Sequence, residues 1–264
     1  MKVGVLINKT QVDDSVGSVF VEYLKNADFS VTEFSRPQEV DGVSVAVILG
    51  GDGTILHAVE HLSPKGIQII GVNFGTLGFL SEFEKDDYAG IVSLLNELKN
   101  GECSILKRSL LQAECNGKVY HALNEIVLRR EYSSPDKRML KTGIEIDGEE
   151  GESLLGDGVL LCTPTGSTAY SLSAGGPILD PHCPVYMLTP ICAFSLKASP
   201  VVVPNGSVTK LKMIRSDALL IVDGKVCDQV GEGSEVVVSL SPFTANFPVC
   251  KTNNFHKKIW LKLK

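Results

Sequence analysis

The 264-residue sequence predicts an α/β N-terminal domain with a parallel sheet, followed by a β-rich C-terminal domain. Two observations predict it. Over the first hundred residues, short apolar runs alternate with segments of helical apolar spacing, the pattern of strands joined by crossover helices. Beyond about residue 101, apolar residues recur with period two between Asn-Gly and Asp-Gly pairs, the pattern of antiparallel hairpins. The expected boundaries are 1–100 for the α/β domain and 101–250 for the β-rich domain. A tail, 251–264, is expected to pack back on the first domain through Ile259, Trp260 and Leu261.

Residues 2–7 open the first domain as a strand. Residues 14–27 place Val16, Val19, Phe20, Tyr23 and Leu24 at helical spacing. Val31 to Phe34 reads as a short strand, Val45 to Leu49 as a buried one, and 54–62 as a helix. Ile67 to Val72 is the next strand, and Ile91 to Leu98 is helical. This alternation implies a Rossmann-like parallel sheet, which binds ligands beyond the carboxyl ends of its strands. The glycine-rich turns 50–53 and 75–78 both leave such ends and are expected to line one crevice. In the second domain Leu111, Ala113 and Cys115 alternate, as do Val119, His121 and Leu123, and Ile144 and Ile146. Turns fall at Asn116-Gly117, Asp147-Gly148, Asn205-Gly206 and Asp223-Gly224.

A net charge of −6 argues against a nucleic-acid partner. The most apolar stretch, 185–203, is cut by Pro190, Lys197 and Pro200, so no membrane partner is expected. The opening apolar run is too short for a signal peptide. Seven cysteines, an odd number without a CxxC pair, point to reduced thiols in a cytoplasmic protein. The five histidines show no metal-ligand spacing, and no metal ligand is assigned.

The strongest chemical signal is Gly50-Gly51-Asp52-Gly53-Thr54, directly after the strand 45–49. Glycines admit positive φ and close ligand approach, and free N–H groups at a helix start attract phosphate. A carboxylate repels phosphate, so Asp52 suits holding a metal ion or taking a proton from a hydroxyl. A tight turn with Asp52 as a local cap is the bland alternative. The second signal runs from Asp157-Gly158 through Thr163-Pro164-Thr165-Gly166-Ser167-Thr168-Ala169-Tyr170-Ser171-Leu172-Ser173 to Gly176-Pro177. Its hydroxyls and N–H groups can surround a ribose or phosphate, and Tyr170 can stack on a base; helix capping by Thr163 to Ser167 is the competing explanation. The third is Asn124-Glu125, a polar pair inside an apolar strand, costly to bury unless satisfied. Asn suits a purine edge and Glu a ribose hydroxyl or exocyclic amine; an exposed strand end is the alternative. His57 and Arg138 can meet a phosphate or remain solvated. Asp223-Gly224-Lys225 reads as a hairpin turn and Arg129-Arg130 as a solvated pair.

Taken together these residues resemble the NAD kinase family. Gly50 to Thr54, Asn73-Phe74-Gly75-Thr76-Leu77-Gly78-Phe79-Leu80, Asn124-Glu125, Asp157-Gly158, Thr163 to Tyr170 and Ser173 to Pro177 stand in that family's order, over nearly the whole chain. The Asn-Glu pair and the Thr-Pro-Thr-Gly-Ser-Thr-Ala-Tyr run are the specific elements; the glycine turn is shared with lipid kinases. The resemblance implies transfer of the terminal phosphoryl of ATP, or of polyphosphate in some members, to the adenosine-ribose 2′-hydroxyl of NAD. It also implies magnesium or another divalent metal, and a homodimer or homotetramer. Carried over by motif, Asp52 would be the base and Gly53 would contact NAD, with Gly50, Gly51 and Thr54 as the phosphate loop. Asn124 and Glu125 would hold the adenine or ribose, and Asp157 the nicotinamide side. Thr168, Ala169, Tyr170, Ser171, Leu172 and Ser173 would complete the pocket. His57 and Arg138 occupy places where relatives often put ligand-facing polar residues. Leu155 stands where several relatives carry a basic residue, and Lys225 where some carry glutamine. Two rival functions share the motifs: a lipid kinase, which would need an apolar or membrane-facing surface, and a non-catalytic dinucleotide sensor, against which Asp52 argues.

Overall fold

A computed structural model describes residues 1–75, 78–132, 138–250 and 255–262. Thr76 and Leu77 of the second glycine-rich turn lie outside the described residues, as do 251–254 of the tail. The chain divides into two compact units, Met1–Arg108 with Phe243–Lys264, and Ser109–Pro242. Each division falls inside a long strand, the first in Ser104–Cys115 and the second in Glu235–Val249, so the change in apolar period near residue 101 precedes the first of them.

The first unit runs β1 (Lys2–Ile7), α1 (Asp14–Asn26), β2 (Ser30–Phe34), β3 (Val45–Gly50), α2 (Asp52–Leu62), β4 (Gln68–Asn73), β5 (Phe83–Glu84) and α3 (Tyr88–Asn100). The strands form a sheet of order β2-β1-β3-β4-β5, and every neighbouring pair is parallel. All six residues of β3 are buried, as a strand covered on both faces requires. α1 turns Phe20, Val21 and Leu24 inward. Val19 is left 56% exposed, while Tyr23 packs on Tyr88 with ring centroids 5.3 Å apart. The helical stripe is therefore narrower than its apolar spacing suggests. α2 starts at Asp52, two residues before the expected 54, because glycines and a carboxylate carry no apolar period. At the far end of the chain, Cys250 N donates to Glu82 Oε1 (2.7 Å) and Lys258 Nζ donates to the Ser81 carbonyl (2.8 Å).

The second unit is antiparallel. In chain order the strands are β6 (Ser104–Cys115), β7 (Lys118–Ala122), β8 (Glu125–Arg130), β9 (Leu140–Ile146), β10 (Glu149–Glu150), β11 (Leu154–Gly156) and β12 (Gly158–Cys162). The short helix α4 (Tyr170–Ser173) precedes β13 (Val185–Ile191), β14 (Val201–Pro204), β15 (Thr209–Arg215), β16 (Ala218–Val222), β17 (Lys225–Val230) and β18 (Glu235–Val249). A terminal helix, α5 (Phe255–Lys262), belongs to the first unit. One sheet has the order β10-β9-β15-β18-β6-β7, with β11 also on β9; the other has β14-β13-β12-β8-β16-β17. Leu111, Leu128, Leu161, Tyr186, Leu211, Leu220 and Val236, drawn from both sheets, meet in one core.

Asn116-Gly117, Asp147-Gly148 and Asp223-Gly224 each have positive φ at both residues (49° and 72°, 53° and 84°, 46° and 81°). That is the type I′ geometry whose twist matches the flanking strands. Asn205-Gly206 differs. It links β14 to β15, which lie in different sheets, so it makes a turn but no hairpin.

Candidate active site

In the first unit the glycine turn sits at the carboxyl end of β3, and Gly51 is the N-cap of α2. None of Gly50, Gly51 and Gly53 has positive φ. Of the three, only Gly50 is required to be small, and for space, not for backbone freedom. A Cβ on Gly50 would lie 2.6 Å from Thr54 Oγ1, whereas one on Gly53 would meet nothing within 4 Å. Gly53 opens on a cleft of about 570 Å³ that Asn8, Lys9, Thr10, Arg36, Thr54 and His57 also line. Asn8 Nδ2 donates to Thr54 Oγ1 (2.7 Å), which fixes the first turn of α2 against the end of β1. Gly51 N–H donates to Gln11 Oε1 (2.9 Å), so an incoming phosphate takes that amide only by displacing Gln11.

The Asp52 carboxylate accepts from two backbone amides, Phe79 N (2.7 Å, to Oδ2) and Leu80 N (3.2 Å, to Oδ1). The residues just after the second glycine-rich turn therefore meet the first turn, as expected from their strand ends. Gly78 is forced: a Cβ there would fall 2.1 Å from Asp52 Oδ1 and 2.7 Å from Ser81 Oγ. Each carboxylate oxygen keeps a further lone pair for a ligand. Arg108 is 8% exposed, stacked 5.5 Å from the Phe247 ring. Burial pulls its pKa down to about 10 against the opposing pull of Asp52 and Glu82, which leaves it charged at neutral pH.

In the second unit Asn124 and Glu125 stand at the start of β8 and are clamped from three directions. Asp223 accepts from Leu123 N (2.8 Å), Asn124 N (2.8 Å) and Glu125 N (3.0 Å). The Asn124 carbonyl accepts from Thr163 N (2.9 Å). Gly166 packs so closely that a Cβ would lie 2.1 Å from the Asn124 oxygen. Asp223 is thus more than a hairpin residue: it holds the polar pair in place from about a hundred positions away in sequence. Glu125 is 7% exposed, with Oε2 buried and without a hydrogen-bond partner. Burial, then the Asp223 charge, raises its pKa to about 8. The sign of the resulting pH dependence is fixed. Between about 4.5 and 8 the folded chain keeps a proton that the unfolded chain has lost, so stability falls as pH rises through that window. The melting temperature of Glu125→Gln relative to the unmodified chain should climb from pH 5 to pH 8 and then level. A difference flat in pH would rule out a protonated Glu125.

The hydroxyl-rich run divides in two. Thr163 Oγ1 donates to the Leu123 carbonyl and accepts from Gly166 N (3.1 Å), where a single 3₁₀ turn, Thr165–Thr168, begins. Ser167 Oγ donates to the Pro164 carbonyl (2.7 Å) and accepts from Leu179 N (2.9 Å). Bonds to the backbone thus occupy the Thr163 and Ser167 hydroxyls of the first half. In the second half Thr168, Ala169, Tyr170 and Leu172 are half-buried and Ser173 is exposed, but Ser171 is fully buried with Oγ 3.0 Å from Thr189 Oγ1. A ligand would meet the backbone of Ser171, not its hydroxyl.

Asp157 pairs with Arg130 (Oδ1 to Nη2, 3.3 Å), and the Arg130 guanidinium lies 4.9 Å from the Tyr132 ring. Arg130 is therefore the partner of Asp157 and not merely solvated. Arg138 Nη2 lies 3.8 Å from Glu232 Oε2, both more than half exposed. Leu155 is in β11 and pairs with Lys141, while Lys225 is an exposed residue opening β17.

Two adjoining family models match this chain. The ATP-NAD kinase N-terminal domain matches residues 8–102, and the ATP-NAD kinase C-terminal domain matches 123–249. An NAD kinase of Methanothermobacter thermautotrophicus is 39% identical over 217 residues, covering 81% of this chain and 74% of that protein. The chain belongs to the NAD kinase family. Among solved structures, an NAD kinase from Archaeoglobus fulgidus in complex with ATP matches with a TM-score of 0.81 at 26% identity, covering 100% of this chain and 97% of that one. Yeast NADH kinase complexed with NADH matches with a TM-score of 0.84 at 28% identity, covering 98% and 86%.

The sequence reading of this NAD kinase family member missed three groups. Asp223 carried no local sign of its long-range bonds beyond the positive-φ turn it occupies. Arg108 could have been found, since it shares strand parity with the inward-facing Leu110. The spacing of the histidines was also misread: His57, Glu60 and His61 bring their ligand atoms within 4.8 Å of one another, because helical period places i, i+3 and i+4 on one face.

Proposed function

We propose that this chain transfers the γ-phosphoryl group of ATP to the 2′-hydroxyl of the adenosine ribose of NAD, giving NADP, with Asp52 as general base. The observation that carries this reading is the Asp52 carboxylate, held by two amides beside an open glycine turn in a chain of this family. A ribose hydroxyl is a weak nucleophile at neutral pH, and a positioned carboxylate takes its proton as the new bond forms. The remaining barrier falls through alignment and charge neutralisation, since phosphoryl transfer asks little covalent chemistry of the protein. Gly53, Asn124, Glu125, Asp157 and Thr168 to Ser173 are assigned to NAD, Gly50, Gly51 and Thr54 to the phosphates, and His57 and Arg138 to ligand contacts.

Magnesium fits the donors present. The Asp52 carboxylate, with a lone pair left on each oxygen, suits an ion that arrives on ATP phosphates and keeps most of its waters. Once bound, it would neutralise charge on the phosphates. Phe194 and Leu196, 74% and 102% exposed, support assembly into a homodimer or homotetramer. None of the seven cysteines is disulfide-bonded, which supports a cytoplasmic setting. Among the described residues, no helix is long and apolar enough to cross a membrane.

The test is incubation with NAD, ATP and magnesium, with NADP followed by an NADP-specific dehydrogenase. NADP should accumulate with ATP, and polyphosphate in its place defines the donor range. No NADP with either donor overturns the reading; phosphorylation of diacylglycerol would then favour a lipid kinase, and tight NADP binding without turnover a sensor. A second check moves the base without removing it. Gly78→Ala should push the Asp52 carboxylate aside and lower kcat by ~10²-fold, the scale of a 1 Å misplacement. Unchanged kcat there would mean that the carboxylate position does not matter.

A further inference from the structure

We propose that α2 carries a binding site for a transition-metal divalent cation of the zinc, cobalt or nickel class, formed by His57, Glu60 and His61. The three residues occupy positions i, i+3 and i+4 of one helix, and their ligand atoms all lie within 4.8 Å of one another. The two imidazoles stand 5.5 Å apart between centroids at 85°, and His61 Nε2 is 3.9 Å from Glu60 Oε2. Donors around a tetrahedral zinc at 2.0–2.1 Å are separated by about 3.3 Å, so side-chain rotation alone closes the set. The backbone beneath them does not have to move. Ile55, Ala58, Val59 and Leu62 anchor the opposite face of α2 in the core, so the spacing of the three Cα atoms is fixed.

The donor chemistry selects the ion. Two imidazoles and one carboxylate suit zinc, cobalt, nickel or copper, while magnesium and calcium take oxygen donors. The site is therefore distinct from one for magnesium carried on a nucleotide. Three protein donors leave a coordination position open for water or an anion. His57 is shared with the 570 Å³ cleft, so an ion held here engages a residue of that cleft.

The experiment is a titration of the intact chain with cobalt(II), read by its visible d–d bands. It reports binding and not turnover, so it stands apart from the phosphoryl-transfer reading. One equivalent should bind without the thiolate charge-transfer band that a cysteine site would give. Glu60→Gln and His61→Ala should each weaken binding at least ~10-fold, since losing a ligand costs no less than losing an outer-shell partner. Glu60→Gln is nearly isosteric, and circular dichroism checks the fold of His61→Ala. A large excess of magnesium should displace nothing. Unchanged affinity in both variants, a thiolate band, or displacement by magnesium would each overturn the site.

Discussion

Asp52→Asn is expected to bind NAD and ATP with nearly unchanged affinity and to turn over at least ~10²-fold more slowly. The reasoning rests on what the carboxylate touches. Its two oxygens each receive one backbone amide, from Phe79 and Leu80, and each keeps a further lone pair. Asparagine keeps one oxygen for one of those amides but turns an N–H₂ toward the other. That donor–donor clash should cost about 1–3 kcal/mol of stability, because a half-buried N–H loses its partner. The substitution thus has two separable effects: a small fall in melting temperature and a large fall in kcat. Calorimetric binding of NAD beside steady-state kinetics distinguishes them. Turnover equal to that of the unmodified chain would remove Asp52 from the role of base, whatever the stability change.

The second large effect should come from Asp223→Ala. Its carboxylate accepts three backbone amides in a row, those of Leu123, Asn124 and Glu125. Hydrogen bonds to a charged acceptor are stronger than neutral ones, and alanine leaves three N–H groups unsatisfied at the start of β8. A loss of about 3 kcal/mol is expected after allowance for water reaching a half-exposed site. For a chain of this size that is a fall of ~6–12 °C in melting temperature. NAD affinity should drop as well, since the side chains of Asn124 and Glu125 are aimed by the backbone that Asp223 holds. Asp223→Asn, which keeps one acceptor oxygen, should fall between the two. A melting temperature unchanged in Asp223→Ala would show that water replaces the carboxylate fully.

The parallel sheet of the first unit and the antiparallel strands of the second were legible because each follows from a local period. β3 is apolar throughout, as burial on both faces demands, and β6 alternates up to its Asn116-Gly117 turn. Element edges were less legible. α2 begins at the glycine turn, where neither Gly51 nor Asp52 contributes to an apolar pattern. His57, Glu60 and His61 stand at i, i+3 and i+4 in the sequence, and it is the helix that brings them to one face.

What the sequence by itself determined is the set of chemical groups: one carboxylate among glycines and one hydroxyl-rich run, each after a strand, and one Asn-Glu pair read as lying inside a strand that in fact begins at Glu125. Tertiary structure alone decided how those groups are used. Packing took the Thr163 and Ser167 hydroxyls into bonds with the backbone and buried Ser171 against Thr189, leaving only part of the run open to a ligand. Chain topology brought Asp223 under the amides of 123–125 and Arg130 beside Asp157. The physical reason is range. Period and turn chemistry act within a few residues, whereas the partners of a buried amide, carboxylate or guanidinium are chosen by strand order and chain topology, which join residues a hundred positions and more apart.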